Sequence, residues 1–120
     1  MTYSIYTSIL GTTMPRVSNT SISNEFRIKI DKALPVIIVS LRDKSETADF
    51  YRNFLTSEEQ IMMGKRLVLY VLLYKGYPFK QIKEFLGMSF EAIRFHKSNW
   101  LKMEKGAKNL IKRLAEKLFS

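Results

Sequence analysis

The sequence predicts an all-α fold, on two observations. Apolar residues recur at helical spacing through most of the chain, and capping residues or glycines stand where these stretches begin and end. The 120 residues are 46% hydrophobic, which is enough for a core. We predict that residues 1–23 form a disordered segment, because serine and threonine dominate it, and that residues 24–120 form one helical domain. Met14 is an alternative start to Met1.

Residues 24–44 fit two patterns. Apolar and polar residues alternate over 26–30 as in a strand, whereas a longer apolar series has the spacing of a helix. We favour a helix that Asn24 caps and that Pro35 kinks or splits. The helical series consists of positions 26, 30, 33, 34, 37, 38 and 41.

A short helix over residues 45–55, with Ser45 as its cap, precedes the longest helix of the chain. Thr56 and Glu59 have the spacing of a capping box, so the long helix starts there, and it ends at Gly76. We expect the short helix to turn an apolar face inward. That face consists of Ala48, Tyr51, Phe54 and Leu55.

Every residue from Leu67 to Tyr74 in the long helix is apolar or aromatic. A helix that is apolar on all sides has to be covered on all sides. Either an intimate homodimer or the centre of a well-packed monomer provides this cover. We favour the homodimer, because a chain this short has few other helices with which to surround one.

Residues 78–102, PFKQIKEFLGMSFEAIRFHKSNWLK, predict two short helices joined by a tight turn. Gly87 ends the first helix, and Ser89 caps the second, over 89–99. Ile82 and Ile93 then face each other across the turn. This is the pattern of a helix-turn-helix motif, whose second helix enters the major groove of double-stranded DNA. The alternative is an ordinary helical hairpin with a solvated basic face.

Positive charge is concentrated towards the C-terminus. The chain has a net charge of +9, and residues 92–120 alone carry eight basic and two acidic residues. A last helix over about 104–119 places its lysines off an apolar stripe, which we assign to packing in preference to a membrane surface. The charge favours a polyanionic partner, with general solubility as the alternative.

Composition alone argues against several classes of site. The chain has no cysteine, which excludes disulfides, thiolate zinc sites and cysteine nucleophiles. His96 is the only histidine, and we place it on the surface or near DNA and not at a metal. We expect no catalytic residues, metal or cofactor, and so no enzyme. With no signal peptide and no apolar run long enough to cross a bilayer, we expect a cytoplasmic protein without membrane contact.

The segment LTSEEQIMMGKRLVLYVLLYKGYPFKQIKEFLG at 55–87 resembles the Trp repressor-like superfamily. It is more similar to the YerC/YecD-like branch than to the tryptophan-binding repressor. The shared features are a Leu-Thr-x-x-Glu helix start, a Lys-Gly helix end, an Ile-Lys-x-x-Leu-Gly helix and a later Trp-Leu-Lys. The resemblance covers about residues 44–118 and implies an intertwined homodimer with two helix-turn-helix heads that regulates transcription.

The resemblance also implies site residues. Family positions that contact DNA fall on Lys80, Lys83, Phe90, Glu91, Ala92 and Arg94. Thr56 and Arg66 match two positions of the repressor's tryptophan pocket, but Phe95 occupies the place of its second arginine. A carboxylate would then be half-paired unless His96 or Lys97 took the place of that arginine, so we do not expect tryptophan to bind, and another small-molecule effector stays open.

The residue types suggest different roles in DNA contact. Lysines would neutralise phosphates, while Arg94 would read guanine and Glu91 would accept from cytosine. Phe90 would touch a thymine methyl group or belong to the core. The alternative function is a helical dimerisation or adaptor module that binds an acidic protein. The candidate DNA-binding residues are Lys80, Lys83, Ser89, Phe90, Glu91, Arg94, Lys97 and Lys102.

Overall fold

Only α-helices occur in the structure, a computed structural model that describes residues 21–119. The prediction of an all-α chain is therefore confirmed. Residues 1–20, which include Met14 and most of the segment predicted to be disordered, lie outside the described residues. In chain order the helices are α1 (Asn24–Ser40), α2 (Lys44–Phe54), α3 (Ser57–Lys75), α4 (Phe79–Leu86), α5 (Phe90–Lys102) and α6 (Lys105–Phe119).

The chain divides into two units, one ending at Asp43 and the other beginning at Lys44. The first unit contains α1, in which no residue is buried. The helix is as predicted, but its cap is Ser23, whose Oγ accepts a hydrogen bond from the amide of Phe26 at 3.3 Å. Pro35 lies inside α1 without splitting it, because a helix loses a single amide donor at a proline and can continue past it.

The second unit begins with α2, which differs from its prediction in two respects. The helix starts at Lys44, so Ser45 lies within its first turn and is not its cap. The apolar face is not buried within the chain, since Tyr51 is 45% and Phe54 69% exposed. The Nε2 of Gln60 on α3 donates a hydrogen bond to the backbone carbonyl of Tyr51 at 3.0 Å.

Both ends of α3 follow the sequence prediction. The Oγ1 of Thr56 accepts from the amide of Glu59 at 3.1 Å, and the Thr56 amide donates to Oε1 of Glu59 at 2.8 Å. At the other end Gly76 adopts a left-handed conformation with φ of 84°. The amide of Tyr77 then donates to the carbonyl of Leu72 at 3.0 Å, which closes a Schellman motif.

The core forms where α3 packs against α4, α5 and α6. Helices of the same chain bury Leu69–Leu73, whereas Leu67 and Tyr74, at the two ends of the apolar run, are 39% and 42% exposed. The beginning of α3 stays uncovered, with Ile61 59% and Met62 54% exposed. The buried core residues are Leu69, Tyr70, Val71, Leu72, Leu73, Ile82, Ile93, Ile111 and Ala115.

A three-residue turn, 87–89, joins α4 to α5. Gly87 has φ of 62°, and its amide donates to the carbonyl of Lys83 at 2.8 Å. Ser89 caps α5 by accepting from the amide of Ala92 at 3.1 Å, as predicted. The second helix is longer than the predicted 89–99 and ends at Lys102, because half-buried Trp100 continues its core-facing side.

We expect Gly87→Ala to lower the free energy of unfolding by about 1–2 kcal/mol, the cost of a left-handed conformation for an L-residue with a side chain. An added Cβ at Gly87 would meet no atom within 4 Å, so the effect is one of backbone conformation. Gly106→Ala is the control, since it lies in α6 with equally open space and φ outside the left-handed region. It should stabilise by up to about 1 kcal/mol in urea unfolding. Equal effects of the two substitutions would contradict this account.

Candidate nucleic-acid interface

The pair α4 and α5 presents its charged side chains on the side away from the core. Ile82 and Ile93 are fully buried and anchor the two helices in the same apolar cluster. The opposite faces of both helices are exposed, including Lys80 and Glu84 on α4 and Glu91 and Arg94 on α5. Of the candidate DNA-binding residues, all are exposed except Lys97, which is half-buried.

An open depression of about 660 Å³ lies where α4 meets the beginning of α5. Four of the candidate DNA-binding residues line it: Lys80, Lys83, Ser89 and Phe90. The Nζ of Lys83 lies 5.2 Å from the centre of the Phe90 ring, and Phe90 is 38% exposed. Glu91 and Arg94 follow Phe90 along the exposed surface of α5. The structure thus brings most of the candidate residues together.

The basic groups of this surface are uncompensated within the described chain. None of the lysines or arginines of α4 and α5 makes a salt bridge with another residue of 21–119. A salt bridge elsewhere in that range joins Lys29 and Glu25 on α1 at 3.8 Å. The outer surface of the α4–α5 pair is therefore positively charged, with Glu84 and Glu91 as the carboxylates of these two helices.

The two candidate effector residues do not lie side by side. Thr56 caps α3 and Arg66 is exposed on the same helix, ten residues later. At 1.5 Å of rise per residue, the two are separated by about 15 Å along the helix axis. The Thr56 hydroxyl also accepts a hydrogen bond in the capping box. A single chain therefore does not assemble a compact site from these two residues.

A cluster around His96 was not foreseen from the sequence. His96 is half-buried, deeper than the surface position we predicted, and its Nδ1 lies 3.1 Å from Oη of Tyr70 on α3. The rings of Tyr70 and Trp100 are 6.2 Å apart, centre to centre, and Nζ of Lys108 lies 5.5 Å from the Trp100 ring. These contacts tie α5 to α3 and α6. The sequence signal for this cluster was helical spacing. His96 follows buried Ile93 by three positions and Trp100 follows it by seven, so all three share one side of the helix.

Burial lowers the pKa of His96 below its ordinary value, and the nearby positive charge of Arg66 lowers it further. The unfolded chain therefore binds the proton more readily than the folded chain between the two pKa values. Stability from this residue is present above the ordinary pKa of about 6.5 and is lost as the pH falls towards the folded value. We expect the free energy of unfolding to decrease between pH 7.5 and 5.5.

The variant His96→Gln checks this expectation, since it is neutral at every pH and keeps an acceptor for the Tyr70 hydroxyl. Urea unfolding at a series of pH values should give a shallower decline for the variant than for the unsubstituted protein. Identical declines would show that other groups cause the dependence.

Two further features of the described residues bear on function. Within 21–119, no three histidine, aspartate or glutamate side chains come together as metal ligands. No helix in that range combines the length and apolar character required to cross a membrane.

Comparison with protein-family models, curated proteins and solved structures gave no significant match to the chain.

Proposed function

We propose that this protein is a sequence-specific DNA-binding transcriptional regulator that acts in the cytoplasm as a homodimer. The observation that carries the proposal is the α4–α5 pair. Its turn has a left-handed Gly87 and a Ser89 cap, its apolar side is anchored by two isoleucines, and its outer side is basic. In a helix-turn-helix motif, this arrangement lets the second helix enter the major groove. Within that class we propose a Trp repressor-like arrangement, on the sequence resemblance over residues 44–118.

Base recognition is assigned to the exposed residues near the start of α5. The guanidinium of Arg94 has no carboxylate partner in the described chain and is free to form two hydrogen bonds with O6 and N7 of guanine. Glu91, one turn nearer the turn between the helices, accepts from N4 of cytosine. These two contacts supply the preference for particular bases.

Phosphate contacts are assigned to four lysines, two on α4 and two on the reading helix α5. Lys80 and Lys83 lie on α4 beside the depression, whereas Lys97 and Lys102 lie in the second half of α5. A lysine binds phosphate as a point charge, so these contacts fix the position of the protein without selecting a sequence.

The homodimer is supported by apolar surface that the chain leaves uncovered. On α1, Val39 is 84% and Val36 63% exposed; on α2, Phe54 is 69% exposed; and on α3, Ile61 is 59% exposed. Exposed apolar side chains of this kind are common at protein–protein interfaces. We propose that a second copy covers it, which would place two reading helices on one DNA duplex.

An effector is not part of the proposal. Phe95 stands at the position of the repressor's second arginine, and Thr56 and Arg66 lie about 15 Å apart along α3. We therefore do not expect tryptophan to act as co-repressor.

The salt dependence of binding to a random-sequence duplex tests DNA binding itself. Each neutralised phosphate contributes a slope of about −0.9 to log K against log salt, so four lysines predict about −4 for one head and about −7 for two. Fluorescence anisotropy at increasing salt measures this slope. Absence of binding at low salt would refute the proposal and favour an acidic protein partner for the same basic surface.

A further inference from the structure

Phe95 occupies the middle of the outward face of α5. It is 63% exposed, although it is a large apolar side chain. It follows fully buried Ile93 by two positions, which corresponds to about 200° around a helix, so the two side chains point in opposite directions. Glu91 and Ser98, four residues before and three after Phe95, are also exposed and share its face. Phe95 therefore lies on the surface that would face DNA.

Phe95 differs in exposure and in its ring contacts from Phe90, the other phenylalanine of α5. Phe90 lies at the start of the helix, is less exposed at 38%, and carries the ammonium group of Lys83 over its ring. The ring of Phe95 meets the edge of the neighbouring His96 at 5.2 Å. Its other side is open, and Arg94 precedes it on the same exposed surface.

We propose that Phe95 is a specificity-determining residue that packs against the 5-methyl group of thymine in the major groove. The inference rests on the proposed function and deepens it. A phenyl ring has no hydrogen-bond donor or acceptor, so it cannot form hydrogen bonds with the edges of the bases. Thymine alone presents a methyl group in the major groove, and apolar contact with that group distinguishes it from the other bases. The half-site therefore contains a thymine close to the base pair that Arg94 reads.

Parallel selections from one random-sequence duplex pool test the inference. They use the unsubstituted protein, Phe95→Ala and the control Phe85→Ala. Phe85 is also a phenylalanine with 61% exposure, but it lies on α4, where its ring meets Tyr77 at 6.0 Å. The unsubstituted protein and the control should enrich a thymine at a position where Phe95→Ala shows no base preference.

A second measurement needs no change in the protein. In the selected duplex, uracil replaces the thymine of each half-site in turn, which deletes the methyl group and leaves base pairing intact. Burial of one methyl-sized group corresponds to about a fourfold change in Kd. The unsubstituted protein and Phe85→Ala should bind each uracil duplex about fourfold more weakly than the thymine duplex. Phe95→Ala should bind the uracil and thymine duplexes with equal affinity.

The outcomes separate the inference from the proposed function. Absence of DNA binding at low salt would refute the proposed function, and the inference with it. An enriched motif whose thymines respond equally in all three proteins would refute the role of Phe95 and leave the proposed function intact. Salt-sensitive binding without any motif would refute base readout by Phe95 and also the sequence specificity of the proposed function, while leaving DNA binding itself in place.

Discussion

Replacing Ile82 with alanine is expected to lower the free energy of unfolding by about 2–5 kcal/mol, the largest effect of the substitutions considered. Ile82 is fully buried and is the buried residue of α4, so its removal leaves a cavity between α4 and the rest of the core. The milder variant Ile82→Val deletes one methylene and should lose about 0.5–1.5 kcal/mol. Urea unfolding monitored by circular dichroism measures both values.

The graded pair also tests how α4 is anchored. If Ile82→Ala and Ile82→Val were both nearly neutral, the side chain would not be in a packed core, and the placement of α4 against α3 and α5 would be wrong. The exposed Lys80 supplies a control on the same helix, because Lys80→Ala should change stability by less than about 0.5 kcal/mol.

Replacing Arg94 with alanine is expected to weaken binding to the selected DNA site by about 1–3 kcal/mol and to abolish the preference at one base pair. Lys80→Ala, on the bracing helix, is the matched comparison. It should weaken binding to all sequences alike and make the salt slope shallower by about 1. Competition titrations with single-base variants of the site distinguish the two behaviours.

A uniform loss of affinity for Arg94→Ala would assign Arg94 to the phosphates and not to a base. Arg94 is exposed and has no salt bridge in the described chain, so its removal should leave the fold unchanged. Circular dichroism of the variant provides that control.

Local signals in the sequence predicted the helix ends well. The capping box at Thr56, the cap at Ser89 and the left-handed glycines at 76 and 87 are all formed by residues within a few positions of each other. Such short-range contacts can be read directly from the chain. Where several polar residues stood together the choice failed, as with Asn24 in place of Ser23, because each can accept the same amide.

Burial was harder to predict than helix location. The apolar run that begins at Leu67 suggested a partner subunit, yet α4, α5 and α6 of the same chain cover Leu69–Leu73. Conversely, the apolar series of α1 was read correctly as a helix, but no residue of that helix is buried. Periodicity states which side chains share a face and does not state what lies against that face.

The candidate site was predictable in part. Residue type and helical position were sufficient to place Lys80, Lys83 and Arg94 on the outside of the α4–α5 pair. The hydrogen bond between Tyr70 and His96 joins residues 26 positions apart, so only the tertiary structure reveals it. The exposure of Phe95 was likewise hidden, because an aromatic residue in a helix is more often part of the core.

Selection of bound duplexes from a random DNA pool, at low and at physiological salt, tests the central claim most directly. A homodimer with two reading helices predicts a two-fold-symmetric motif whose half-sites lie about 34–36 Å, or one helical turn, apart. A pool that remains unenriched at both salt concentrations, with no duplex retained at low salt, would contradict the claim that the α4–α5 pair binds DNA.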